Sequence, residues 1–483
     1  MRNEFYVWSI RQLTADKNHN AFTGAAWFQG ALYVAYRQGD SHACNQGRLV
    51  VMRSRNEGVR FDTVGVFRGE FDTRDAHLYA DGDRRLFVTG FECDESGLMG
   101  SGHEFSGTAW TDDGLCWSAW TRCTGADGYA MWRPQTRGGR FYCAGYTEHG
   151  RVGMGGTTEV SWFESRDGLC WEKQRSIHAA SEDIPGECSF DFRADGSVVM
   201  LMRRDGPRVG SKPLLLRSAP PYEDWQQVEL DVRLGGPALW LVGDDIWFSG
   251  RWYLTEFVTH VGVFKVVEDK PMLQMVLPSG PWNDVSYMGV ARHPLNRRRF
   301  ALSYYSVHTA NDDPQVSQIY HPDIYLADIT FTADYLTDWQ VSEVLEGATL
   351  RTATADQAAG WRGLTAFDEE SYAPGFVDAQ QVIAKRRGVI FFRTSFDVGS
   401  TDAGVLHLGF DGPVQARLNG QVVCKGTGGN PALPDRLSVP VSFQRGVNEL
   451  EIALDTNGGG AIEAVGPPVG WPCGIFARWE AVE

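Results

Sequence analysis

The feature that most constrains this chain is a turn motif that recurs in register. Ser54-Arg55-Asn56-Glu57-Gly58-Val59-Arg60-Phe61 reads S-x-N-x-G-x-x-F, Thr111 to Trp117 reads T-x-D-G-x-x-W, and Ser165 to Trp171 reads S-x-D-G-x-x-W. The starts lie 57 and 54 residues apart, and a worn copy, Ser218 to Trp225, begins 53 residues later. In each copy a hydroxyl residue ends a strand. Asp or Asn then bonds the turn backbone, Gly takes the positive-φ position, and an aromatic packs back under the hairpin. Apolar or alternating runs precede the copies at Leu49 to Met52, Ala109 to Trp110, Val160 to Phe163 and Leu214 to Leu216. Two more runs, Val261 to Val267 and Ile324 to Ile329, keep the phase without the turn. Units of this size, six of them between residues 20 and 335, imply a β-propeller of four-stranded blades. A seventh blade is the alternative if the first 20 residues form one.

The composition agrees with many short strands. Trp 17, Phe 26 and Tyr 16 supply aromatics and Gly 55 supplies turns. A formal net charge of −16 argues against nucleic acid or an anionic membrane as partner. Nine cysteines, without C-x-x-C or metal-ligand spacing, are expected to be buried free thiols in a reducing compartment. The sequence begins without an apolar run of signal-peptide length and has no stretch approaching a membrane span, so a cytoplasmic location is expected for the chain as given, and a secreted one if a signal has been trimmed from it. No Gly-rich phosphate loop, H-E-x-x-H or EF-hand pattern appears, so neither cofactor nor metal is expected.

The texture changes after about residue 337. Glu346 to Ala359, rich in Ala and Thr, looks like a connector. Beyond Gly388 come strand-like runs: Val389-Ile390-Phe391-Phe392, Val405 to Phe410, Ala416 to Val423 with Asn419-Gly420 as a hairpin turn, and Val447 to Ile452. The expected organisation is a propeller over residues 1–336 and a β-sandwich over 337–483, an all-β protein throughout.

The turns resemble the Asp-boxes of the sialidase superfamily, over about residues 18–335. Leu418-Asn419-Gly420 with Arg445 to Leu450 resembles the jelly-roll sandwich attached to many glycosidases, which implies either a sugar-binding accessory domain or a packing domain. Sialidases use a Tyr nucleophile activated by a Glu, a carboxylic acid that protonates the leaving group, and three Arg that grip the substrate carboxylate. A neutral Tyr avoids repulsion from an anionic sugar but needs a base, since its ordinary pKa is near 10, and Arg forks match a carboxylate with two parallel bonds.

The resemblance carries over residue by residue. In Gly186-Glu187-Cys188-Ser189-Phe190, followed by Asp195-Gly196 and Arg203-Arg204, Glu187 and Arg203 fall on the base and one arginine. Arg251 falls on another arginine, and Tyr287 in Asp284-Val285-Ser286-Tyr287 falls on the nucleophile. The first-blade arginine is absent, Asn20-Ala21-Phe22-Thr23 standing in its place, so poor sialidase activity is expected. Where the acid is expected the chain has Arg37-Gln38-Gly39-Asp40-Ser41-His42, which leaves His42, or less well Asp40, as proton donor. His at this place also resembles propeller enzymes that act on rhamnosyl-glucuronate chains by hydrolysis or elimination.

The expected site therefore holds His42, Glu187 and Tyr287 as catalytic groups. Arg37, Arg74, Asp75, Arg133, Arg203 and Arg251 are expected as binding groups and Trp132 as a stacking platform, with Tyr304, Tyr305 and His308 as further candidates. Three functions are consistent with this set: an exo-acting glycoside hydrolase on an acidic or deoxy-sugar oligosaccharide, a polysaccharide lyase acting on a uronate glycan, or a glycan-binding propeller without turnover. Oligosaccharide or polysaccharide is the expected partner in all three, and the sequence leaves the oligomeric state open.

Overall fold

The computed structural model describes residues 4–94, 104–147, 158–180, 182–206, 210, 212–255, 258–280, 284–308, 321–368, 371, 373–384, 386–399, 403–429, 431–457 and 473–481. The chain is all-β and forms two compact units, one of residues 9–292 with 300–328, the other of residues 1–8, 293–299 and 329–483. Among the described residues, no helix is long and apolar enough to cross a membrane.

The repeat builds four-stranded antiparallel sheets of the β-propeller type. The first contains His19–Phe28, Ala31–Gly39, Arg48–Ser54 and Asp62–Phe67, paired in that order. Four more follow in the same up-and-down order, starting at Asp72–Asp81, Ala130–Arg137, Pro185–Phe192 and Leu234–Val242. The next sheet starts at Ser286–His293, continues through Asn296–Ser306 and Asp323–Phe331, and is completed by the N-terminal strand Phe5–Gln12. Residues 5–12 thus finish a sheet begun at the far end of the repeat array rather than founding one of their own.

The starting strands pack side by side round a ring. Each touches the next from His19–Phe28 to Leu234–Val242. Arg292 then donates to Leu241 O at 2.8 Å, and the Thr23 hydroxyl donates to Tyr287 O at 2.9 Å while accepting from Gly289 N at 3.1 Å, which closes the circle. The aromatic content fills the space between sheets, with Trp132, Trp162, Trp240 and Trp247 all essentially buried.

The turns have the expected geometry. Thr111 Oγ1 accepts from Gly114 N at 2.9 Å, and Asp113 Oδ1 accepts from Leu115 N and Cys116 N at 2.8 and 2.7 Å. Ser165 and Asp167 repeat the pattern on Gly168, Leu169 and Cys170. All nine cysteines are free, but Cys116 and Cys170 are exposed in these turns, so the expectation of burial fails there. A turn whose backbone is satisfied by Asp leaves the neighbouring side chains to solvent.

The second unit is a sandwich. One sheet runs Arg362–Thr365, Asp338–Val341, Gly388–Val398, Gly446–Asp455, Val414–Leu418, Gln421–Gly426, and the other Val377–Asp378, Gly474–Ala481, Ala403–Phe410, Leu437–Ser442. Ile390 and Phe392 face the core between the sheets while Val389 and Phe391 face outward. The outward pair is covered by Ala348, Leu350, Ala353 and Trp361, so the stretch read as a connector is a packed layer on the sandwich. Asn419 and Gly420 both take positive φ, 50° and 80°, as a two-residue hairpin of this kind requires.

Candidate functional site

A second repeat, in the starting strands, builds the site. Register shifts interrupt the pairing between Ala21 and Gly24, Arg74 and His77, Trp132 and Gln135, Pro185 and Cys188, and Gly235 and Ala238. Four of these bulges carry a residue at positive φ: Phe22 at 54°, Asp75 at 59°, Arg133 at 48° and Gly236 at 58°. Tyr287 of the remaining starting strand matches them at 47°. For the non-glycine residues this conformation costs roughly 1–2 kcal/mol each. Strained positions of this kind concentrate at functional sites. Gly236 has a further reason to be glycine, since a Cβ there would sit 2.6 Å from the Tyr287 ring.

The bulges at Phe22, at Arg74-Asp75 and at Gly186-Glu187, with Tyr287, open onto a cavity of about 440 Å³ also lined by His42, Arg203, Asp205 and Arg251, with Phe91 and Tyr146 among its apolar walls. Tyr287 Oη donates to Glu187 Oε1 at 2.6 Å. Arg203 donates to Glu187 Oε2 at 2.9 Å and to Tyr287 Oη at 3.1 Å, and Gly236 N donates to the same Oε2 at 2.9 Å. Burial opposes charge on Glu187, but Arg203 and the hydrogen bonds from Tyr287 and Arg203 outweigh it and hold the carboxyl below its ordinary range. Burial and the Glu187 carboxylate push the Tyr287 phenol well above its ordinary value. The resting pair is therefore a neutral phenol on a carboxylate.

Joined to the cavity through His42 stands a His–Asp–His cluster. Asp284 Oδ2 meets His19 Nε2 at 2.5 Å and His42 Nδ1 at 3.1 Å, and Asp284 Oδ1 accepts from Tyr305 Oη at 2.8 Å. Tyr305 Oη in turn accepts from Arg251 at 3.0 Å. Burial resists charge on Asp284, yet the hydrogen bonds from His19 and His42 keep it well below the ordinary carboxylate range. Burial lowers the His19 imidazole below its ordinary range, against the raising pull of Asp284. His42 is half exposed, its side chain retaining 52% of its free surface.

The structure thus brings His42, Arg74, Asp75, Glu187, Arg203, Arg251 and Tyr287 to one cavity. Three expected contributors lie elsewhere. Arg37 is fully buried and locked bidentately on Asp72, at 2.8 and 3.0 Å, so it has no fork to offer a substrate. Trp132 is 1% exposed and packs edge-on against His77 and Tyr287, so it is core and not a stacking platform. Arg133 does not line the cavity, and burial lowers its pKa to about 10. Of the further candidates, Tyr305 joins the Asp284 network. Tyr304 donates to Pro278 O, the His308 ring lies tilted against Tyr325, and Asp40 is exposed away from the lining.

The arginines that do reach the cavity are already matched by carboxylates. Arg74 lies 3.8 Å from Asp72 and 3.6 Å from Asp75, Arg203 lies 2.9 Å from Glu187 and 2.8 Å from Asp205, and Arg251 lies 3.8 Å from Asp284. Sequence reasoning passed over Asp284, His19 and Asp205. The available signal was proximity in sequence, three residues before Tyr287, three before Phe22 and two after Arg203.

No protein-family model matches the chain, and no curated protein matches its sequence. Among solved structures it is similar to a protein of unknown function from Dyadobacter fermentans, with 14% identity, a TM-score of 0.55, and coverage of 68% of this chain and 100% of that one. It is also similar to Trypanosoma rangeli sialidase in complex with the inhibitor DANA, at 10% identity and a TM-score of 0.48, covering 99% of this chain and 95% of that one. A third is Penicillium chrysogenum alpha-L-arabinanase complexed with arabinobiose, at 10% identity and a TM-score of 0.47, covering 66% and 98%. At these identities the likeness concerns the fold.

Proposed function

We propose that this protein is an exo-acting glycoside hydrolase, and that its terminal sugar is a deoxy or other uncharged sugar rather than an acidic one. The observation that carries the reading is the 2.6 Å hydrogen bond from Tyr287 to Glu187 in a cavity shared with His42. Tyr287 attacks the anomeric carbon, and its proton passes to Glu187 Oε1 as the new C–O bond forms. The bond to the leaving group breaks, and His42 delivers a proton to the departing oxygen. Water then attacks the glycosyl-tyrosine with neutral His42 as base, and the phenol recovers its proton from Glu187, which restores both groups.

The preference for an uncharged sugar rests on charge. A substrate carboxylate entering here meets arginines that each have a carboxylate within 4 Å, Arg203 hydrogen-bonded to Glu187 and Arg74 and Arg251 beside Asp72, Asp75 and Asp284, so part of the attraction is already offset. The same balance weighs against elimination, which needs a cation to neutralise a uronate carboxylate. The test is incubation with a panel of plant, algal and host oligosaccharides, read by product mass and by ultraviolet absorbance. Gain of water on release of a terminal uncharged sugar is expected. A product with new absorbance and no added water, or efficient release of sialic acid from sialyllactose, overturns the reading.

A further inference from the structure

The charged groups behind His42 form a chain with a direction. Asp72 fixes Arg37 with two hydrogen bonds at 2.8 and 3.0 Å, and Arg37 also donates to Ser41 O at 2.8 Å. It donates as well to Cys44 Sγ at 3.3 Å and meets His19 Nδ1 at 3.4 Å. A guanidinium has only donors, so His19 Nδ1 accepts, and the ring's one proton sits on Nε2. Nε2 lies 2.5 Å from Asp284 Oδ2 and therefore donates to it. Asp284 Oδ2 also faces His42 Nδ1 at 3.1 Å, and a carboxylate accepts only, so His42 carries a proton on Nδ1.

From this geometry we infer that Asp284, oriented from behind by His19 and Arg37, is the positioning residue that keeps the Nδ1 proton on His42 and reserves Nε2 for proton transfer. The inference deepens the reading of the site as a hydrolase. It assigns to Asp284 the part a buried carboxylate plays when it holds an imidazole in one tautomer, and it gives a function to Arg37 and His19, which the cavity does not reach.

The same three side chains offer a different use. His19 Nε2, His42 Nδ1 and an Asp284 oxygen lie within 4.8 Å of one another, a spacing a divalent ion could bridge. Metal on His19 Nε2 would move that ring's proton to Nδ1, setting donor against donor at Arg37 in a buried position. The chain of hydrogen bonds therefore favours proton positioning over metal binding.

Two experiments test the inference, one without substrate. Nitrogen-15 NMR of the histidine-labelled full chain reads tautomers directly. It should show His19 protonated on Nε2 and His42 on Nδ1, with the His42 preference lost in Asp284→Asn. A His19 ring protonated on Nδ1, or stoichiometric zinc binding that shifts both rings, overturns the inference whatever the protein hydrolyses. With the sugar that the panel identifies, Asp284→Asn should lower kcat/KM, which reports the step in which the leaving group departs, by about 10²–10⁴-fold on the natural oligosaccharide. The loss should be only a few-fold on a dinitrophenyl glycoside, whose leaving group needs no acid, and His19→Gln, which keeps a donor, should retain more turnover than His19→Phe. Equal losses on both leaving groups would overturn the positioning role while leaving the hydrolase reading intact. Absence of any turnover would sink the hydrolase reading and leave the tautomers to decide.

Discussion

Two repeats run through residues 19–293, and they behave in opposite ways. At the outer turns the side chains build the backbone: Ser54, Thr111 and Ser165 each accept from a glycine N–H, and Asp113 and Asp167 each accept two more. A position whose atoms are consumed by the turn can hold few residue types, so the motif recurs. At the starting-strand bulges the sheet holds the backbone at positive φ, and the side chain is left to do other work. Phe22, Asp75, Arg133, Gly236 and Tyr287 share a conformation and nothing else. The turn repeat therefore encodes the fold, and the bulge repeat hosts the chemistry.

If that division is right, changes at the bulges cost turnover and changes at the turns cost stability. The largest effect belongs to the Glu187–Tyr287 pair. Tyr287→Phe and Glu187→Gln keep shape and most hydrogen bonds, so melting temperature should shift by only a few degrees while kcat on the identified oligosaccharide falls by about 10²–10⁴-fold. Retained turnover, or a collapse of stability equal to the loss of activity, breaks the comparison. The next largest is Gly114→Ala. Gly114 sits at φ +71°, and a Cβ there would lie 1.9 Å from the Tyr33 hydroxyl. Backbone strain and overpacking together should cost about 2–4 kcal/mol, read as a lower urea midpoint, with kcat unchanged in the folded protein.

The same division explains what the sequence disclosed. Thr111-Asp112-Asp113-Gly114 could be read because each atom in it serves a local turn, and local geometry is visible in a short string. The sandwich hairpin at Asn419-Gly420 was legible for the same reason. Glu187 and Tyr287 emerged only through resemblance, since neither spacing nor residue type announces a contact between positions 100 residues apart. Arg37 and Trp132 went the other way. An arginine and a tryptophan near the expected mouth look available in a sequence, but Asp72 and the neighbouring rings claim them once the strands register. Asp284 was passed over because a lone Asp acquires meaning only when His19 and His42, far away in the chain, are brought onto it.

Within the turns themselves the hydroxyl can be weighed against the carboxylate. Ser165 is buried and its Oγ accepts from both Gly168 N, at 3.0 Å, and Asp167 N, at 3.2 Å. Ser165→Ala leaves those donors without their partner and should cost about 1 kcal/mol by urea unfolding, with turnover unaffected. A loss of activity without a loss of stability would place the turn in the machinery and erase the distinction.

The smallest effect, and the one with a pH signature, is expected at Asp167. Burial alone would raise its pKa, but hydrogen bonds from Cys170 N, Leu169 N and the Ser165 hydroxyl outweigh it and hold the carboxyl below its ordinary value. A depressed carboxyl stabilises the fold above the unfolded-state pKa of about 3.9, and that contribution disappears as pH falls through the lower folded-state pKa. Most of the Asp167 side chain is solvated, so screening keeps the stability difference below about 1 kcal/mol. Asp167→Asn keeps an oxygen that can accept but removes the charge. The variant should therefore be slightly less stable than the natural chain at pH 7, and the gap should narrow as the pH falls through the acid range, as judged by urea midpoints along a pH series. A gap that stays constant over that range would mean that the carboxylate charge contributes nothing and that the turn depends on shape alone.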